Sequence, residues 1–377
     1  MIPLFQNFDN FFNDTVRIKD TPSWIILCGY NIGETVQFCA LAGEFKKQHG
    51  HEIIVVITPK HQHVIDMYAH QFIKVVVISD DTMRLILRSG YIPQDRLEID
   101  QPFSACWIDR GFRYSDGIRF LSKYPGRGGL SEIDCVRFVL HLPWNAKLEA
   151  PTMSVETEHR VLGYAIQSGL RIGRSVLLCP INNSAPKLPQ IFWNTLATEL
   201  TSKGLTVFTN VGGLNPFNGL AQMPIPGTIA VNLPIQDVVP FCRLAGNVII
   251  GNNGMSMLIM MTAFKNFKVT QLVSYSPKTE IGHSSLGFQS PNHPEKGNEF
   301  AGTYQYSVPE LCIHTDFAEY LIPFDGEADE LERIARQVAI RDNTSPNYLK
   351  RAGGTTNCYV TEHLDWLGDL VDVSTVK

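Results

Sequence analysis

The segment Gly29-Tyr30-Asn31-Ile32-Gly33-Glu34-Thr35-Val36-Gln37 sets a carboxylate at the start of a helix-like stretch, directly behind an apolar run. A glutamate in a first helical turn is favoured by the helix dipole, and that alone can explain its presence. The same position also suits a general base, because a carboxylate at a strand–helix junction can meet a bound hydroxyl and take its proton. Residue type and spacing leave both readings open. Gly33 allows a tight backbone turn, and Asn31 and Gly33 would lie against the molecule that carries the hydroxyl. No Gly-Lys-Ser/Thr follows, so this is not a Walker A loop, and the Gly-x-Gly-x-x-Gly of a nicotinamide enzyme is incomplete.

Two later loops have the composition of anion cradles. In Asn182-Asn183-Ser184-Ala185-Pro186-Lys187, amides and a hydroxyl precede a helix, and backbone N–H groups at a helix start suit a pyrophosphate. Lys187 would add a point charge, although capping and a solvated lysine explain the same residues. In Gly251-Asn252-Asn253-Gly254-Met255-Ser256, two glycines and two asparagines predict a tight turn tolerant of positive φ, with backbone amides free to hold phosphate or sugar. Asp109 is either a second acid or a strand-ending turn residue. Arg110 and Arg113 open a basic cluster with Arg119, Lys123 and Arg127, which is a solvated surface or a site for an anionic acceptor. His283, His293 and His314 lack metal-ligand spacing, so no metal site is expected.

These loops need strands and helices to aim them. Apolar runs at residues 23–28, 53–57, 74–78 and 104–108, separated by helical patterns, predict βαβ units with a parallel sheet. The pattern restarts after the Pro- and charge-containing stretch 142–158. Strands are expected at 175–179, 206–209, 228–231 and 247–250, with a helix over 190–203 that Gly204 ends at its C′ position. Two such series imply an α/β chain of two doubly wound domains facing across a cleft, with ligands beyond the carboxyl ends of the strands. The expected domains are 1–165 and 166–345, followed by a C-terminal segment, 346–377, that packs back on the first. Beyond Lys268 the sequence reads as irregular, with a loop or lid over 274–307 and a late helix over 327–341. Phe5, Phe8, Phe11 and Phe12 read as a helix docking on the core.

Composition limits the partners. A formal net charge of −5 gives no basic footprint for nucleic acid, and 44% hydrophobic with 18% charged residues fits a globular chain. No apolar run approaches the roughly 20 residues that span a bilayer, which leaves peripheral membrane association open. The N-terminus lacks the pattern of a secretory signal. The eight cysteines are scattered with no Cys-x-x-Cys pair, which predicts free thiols and places the protein in the cytoplasm.

Ile32-Gly33-Glu34-Thr35-Val36-Gln37 resembles the Ile-Gly-Asp signature that opens the family 9 glycosyltransferases, the heptosyltransferase-like enzymes. Lys187-Leu188-Pro189 is similar to that family's Lys-Trp-Pro helix opening. Residues 207–213 resemble its strand ending in Gly-Gly, and residues 250–258 its Asp-Thr-Gly-x-x-His-Leu signature. The matches keep the family's order across residues 24–270. The resemblance implies a GT-B fold and transfer of a sugar from a nucleotide-sugar donor, a substrate and not a cofactor. The acceptor would be a glycan, a lipid-linked saccharide or a protein. It makes Glu34 the general base and sets Lys187, Asn252, Asn253 and Gly254 at the donor, and Asn182, Asn183, Ser184, Gly212, Gly213 and Ser256 of the same strand-end loops are expected beside them. Asn31, Gly33, Asp109, Arg110 and Arg113 fall to the acceptor side, and the family's architecture implies transfer without a metal. The chain departs from the pattern at Glu34 and Asn252, where the family has Asp, and at Met257, where it has His. The acidic residue expected after Gly-Gly is replaced by Leu214-Asn215-Pro216. A nucleotide-sugar epimerase and a non-catalytic bilobed binding protein are the competing readings.

Overall fold

A computed structural model describes residues 15–16, 18–19, 21, 23–29, 32–88, 102–104, 137, 140, 142–143, 146–181, 187–212, 222–251, 253–262, 267–275 and 316–348. These residues fall into two compact units, which divide between Thr152 and Met153.

The first unit is a parallel sheet with helical connections. In chain order it contains β1 (Ser23–Cys28), α1 (Ile32–His49), β2 (Glu52–Ile57), α2 (Gln62–Asp66), β3 (Lys74–Val77), α3 (Asp80–Arg88) and β4 (Pro102–Ser104). The strand order is β3-β2-β1-β4, and every pairing is parallel. β1 is buried along its whole length, which is why its sequence is a continuous apolar run and not an alternating one. One face of the sheet packs Ile25, Leu27, Ile54 and Val56 against Met83 and Ile86 of α3. On α1, Phe45 meets Trp24 edge-on, with ring centroids 5.5 Å apart. The strand expected at 104–108 is described only as Pro102–Ser104, and the remainder lies outside the described residues.

The second unit has a fuller version of the same plan. Its elements are α4 (Val155–Gln167), β5 (Ser175–Cys179), α5 (Gln190–Ser202), β6 (Thr206–Asn210), β7 (Ile229–Val231), α6 (Ile235–Ala245), β8 (Asn247–Gly251), α7 (Gly254–Met260), β9 (Lys268–Tyr275), β10 (Asp316–Pro323) and α8 (Ala328–Ile340). The six strands lie in the order β10-β9-β8-β5-β6-β7, all parallel. α5 and α8 cover one face, where Phe192, Leu196, Ile334 and Val338 pack on Val176, Leu178 and Tyr320. Each such buried side chain contributes about 1.5–3 kcal/mol. α6 covers the other face, with Phe241 edge-on to Phe208 at 5.4 Å. Gly204 takes φ +74° at the C′ position of α5, the left-handed conformation foreseen there.

Three features differ from the sequence reading. α4 runs through the 165/166 point, where a domain boundary was expected, and belongs wholly to the second unit. Its Arg160 makes a two-pronged ion pair with the buried Asp237 of α6, which includes Nη2 to Oδ1 at 2.6 Å. The described residues after Lys268 are not irregular, because β9 occupies 268–275 and β10 occupies 316–323. Residues 346–348 pair with β10, where Leu321 N–H donates to the Asn347 carbonyl at 2.8 Å, so the start of the expected C-terminal segment packs on the second unit. The remainder of that segment, most of the proposed lid and the N-terminal phenylalanines lie outside the described residues.

Candidate functional site

In each sheet the strand order turns back at one place. The first sheet turns at β1, which lies between β2 and β4, and the second turns at β5, between β6 and β8. At such a switch point the loops after adjacent strands diverge and leave a crevice at the carboxyl edge, where ligands bind in open α/β sheets. The candidate loops follow β1 in the first unit, and β5 and β8 in the second.

In the first unit, α1 begins at Ile32, four residues after β1 ends. Gly33 is therefore the second residue of a helix, not the pivot of a turn. Glu34 lies in the first turn, where the helix dipole favours a carboxylate, and it is 5% exposed. Asn31, Asp109, Arg110 and Arg113 fall outside the described residues.

In the second unit, Lys187 is exposed and stands three residues before α5. Pro189 is the N-cap of that helix and provides no side-chain cap. Among the described residues, the N-terminal amides of α5 therefore have no capping side chain at the N-cap, the arrangement that anions exploit. Asn182, Asn183 and Ser184, expected beside Lys187, lie outside the described residues, as do Gly213 and Asn252.

The loop after β8 is built differently. Asn253 has an extended backbone (φ −155°) and caps α7. Its Oδ1 accepts from the N–H groups of Met255 and Ser256, each at 2.9 Å, and Ser256 Oγ accepts from the Asn253 N–H at 3.0 Å. This reciprocal capping box satisfies three donors at once. The Asn253 Nδ2 group donates to the Ile181 carbonyl at 2.8 Å, which ties the loop after β8 to the loop after β5 across the switch point. Gly251 ends a strand and Gly254 starts a helix, so neither supplies the positive φ that the composition suggested.

Gly212 needs to be glycine for space. A Cβ there would lie 2.8 Å from the Leu233 carbonyl oxygen and 3.0 Å from Asn210 Oδ1. Asn210, at the end of β6, is marked in the sequence only as the start of a strand-end loop, yet it organises this corner. Its buried Oδ1 accepts from Gly212 N–H at 3.0 Å and from Leu233 N–H at 3.2 Å, joining the loops after β6 and β7. An asparagine at a strand end just before Gly-Gly was its one visible signal.

No protein-family model matches the sequence, and no curated protein matches it in sequence. Solved structures do share its fold. A family 9 glycosyl transferase from Veillonella parvula superposes with a TM-score of 0.51 at 11% identity, covering 88% of this chain and 98% of that one. The ADP-heptose lipopolysaccharide heptosyltransferase II of E. coli superposes with a TM-score of 0.51 at 12% identity, covering 85% and 98%. The chain has the fold of the family 9 glycosyltransferases. That fold is the α/β, GT-B arrangement implied by the ordered motifs, with a parallel Rossmann-like sheet in each unit. Among the described residues, no helix is long and apolar enough to cross a membrane, and no group of three or more His, Cys, Asp or Glu could hold a metal ion.

Proposed function

We propose that this chain is a divergent family 9 glycosyltransferase of the cytoplasm that moves a sugar from a nucleotide-sugar donor to a hydroxyl acceptor. The observation that carries the reading is the placement of the motif residues. Glu34, Lys187 and Gly254 follow strands at the switch points of two parallel sheets, and solved structures with this fold include known sugar transferases.

In the proposed reaction, Glu34 takes the proton of the acceptor hydroxyl as its oxygen bonds to the anomeric carbon of the donor. The bond from that carbon to the diphosphate oxygen breaks, and the electron pair leaves with the nucleoside diphosphate. Charge growing on the leaving group is met by the uncapped start of α5 and by Lys187. Asn253 and Ser256 are occupied with the capping box, so their part is to hold the loop while Gly254 presents backbone to the donor. Fixed dipoles and a lysine then do what a divalent ion does in other transferases, and transfer proceeds without metal.

The test is release of nucleoside diphosphate from ADP-, UDP- and GDP-sugars, measured beside the shift each gives in melting temperature. A donor at 100 times its Kd should add about 2.7 kcal/mol. Turnover should persist after dialysis into excess EDTA. Activity lost to chelation and restored by magnesium or manganese would overturn the metal-free reading, and no release from any donor would overturn the transferase.

A further inference from the structure

α4 is held to the second unit by one side only. Ser154 caps its start, where its Oγ accepts from the Thr157 N–H at 3.1 Å. Val161 and Ala165 are its buried residues, and Glu158 and Arg160 pair with Arg243 and Asp237 of α6. A surface helix packed in this way ordinarily turns polar residues outward. α4 does not. Val155 is 67% exposed, Ile166 62% and Leu162 36%, and His159 among them is exposed as well.

At 3.6 residues per turn these four residues fall within an arc of about 60°, away from Val161 and Ala165. Their 4-3-4 spacing is that of a coiled-coil seam, a narrow stripe whose side chains fit between those of a facing helix. Gly163, beside the stripe, has nothing within 4 Å of where a Cβ would stand, so a facing helix can come close.

The spacing also reads the same in both directions. Laid antiparallel on a second copy of itself, α4 sets Val155 against the partner's Ile166 and His159 against the partner's Leu162, and a twofold axis repeats both contacts. A seam for an unrelated partner has no need of this symmetry. The ends agree in charge. Glu156, exposed in the acidic first turn, then lies over the end of the partner helix, past which the exposed Arg171 and Arg174 follow.

We propose that the chain forms a twofold homodimer through the exposed face of α4. The seam runs along about 16 Å of helix. That length belongs to the small class of interfaces, so monomer and dimer exchange, with a Kd on the order of 10–100 μM.

Sedimentation velocity on the full chain, from about 5 to about 500 μM, should show a reversible monomer–dimer equilibrium. Ile166→Glu should weaken the dimer about tenfold or more and leave the melting temperature of the monomer unchanged, because the side chain is exposed. His159→Leu fills the seam and should tighten the dimer about tenfold. With Val155→Cys and Ile166→Cys together, copper–phenanthroline should cross-link the dimer, whereas neither substitution alone should do so, since each residue faces the other and not its own copy. A dimer indifferent to both Ile166→Glu and His159→Leu has its interface elsewhere and overturns the proposal, and cross-linking by a single cysteine overturns the antiparallel register. A wild type that stays monomeric at every concentration overturns it too. If Ile166→Glu then lowers the melting temperature, the stripe is covered by the chain itself; if it releases the protein from phosphatidylglycerol vesicles, the cover is a lipid surface.

Discussion

The loop after β8 and the opening of α1 occupy equivalent places, each following a strand at a switch point, yet they use their polar residues in opposite ways. After β8, Asn253 and Ser256 bond to each other, to backbone N–H groups and to the Ile181 carbonyl. At α1, Gln37 is buried with neither amide atom hydrogen-bonded among the described residues, one turn from Glu34. The first region uses side chains to fix backbone, which suits a site whose ligand is a diphosphate read by main-chain amides. The second, in the proposed reaction, works through the side chain of Glu34. Preorganised backbone tolerates changes of residue type that keep the cap, whereas a side-chain site has its chemistry in particular atoms.

The sharpest break of this contrast is Glu34→Gln. It keeps the shape but removes the basicity, so turnover should fall on the order of 10²–10⁴-fold while donor affinity is nearly unchanged. Steady-state rates beside nucleoside diphosphate titrations check it, and full activity would remove Glu34 from the mechanism.

Asn253→Ala tests the other side. Loss of the cap and of the tie to Ile181 should cost about 1–2 kcal/mol of stability, read by urea denaturation. Donor affinity should fall with it, because the loop loses its anchor. Asn253→Ser should restore most of the stability, since serine also caps. Equal donor affinity in Asn253→Ala would separate this loop from the donor.

The smallest effect is expected at Lys187. The side chain is exposed, so Lys187→Ala should leave the melting temperature unchanged and weaken nucleoside diphosphate binding about tenfold or less. The weakening should shrink as salt is raised, because an exposed charge is screened. Calorimetry showing the same affinity at low salt would return Lys187 to a purely solvated role.

The sequence by itself determined the elements whose apolar pattern is unbroken. β1, β2, β5 and β8 are continuous buried runs, and α5 with Gly204 at its end carries its own stop signal, so local composition suffices. The order of motifs then located Glu34 at a helix start and Lys187 before α5. β9 and β10 were missed because each buries polar residues mid-strand, Gln271 in one and Glu319 in the other, and these break the apolar signature. The tertiary structure alone decided that β5 lies between β6 and β8, because a strand's sequence does not name its neighbours. It also decided that Asn210 bonds to Leu233, that Asn253 is spent on a cap, and that Gln37 is buried with no hydrogen-bond partner among the described residues. Those facts depend on which groups meet across distant stretches of chain, and residue type and local spacing carry no record of such meetings.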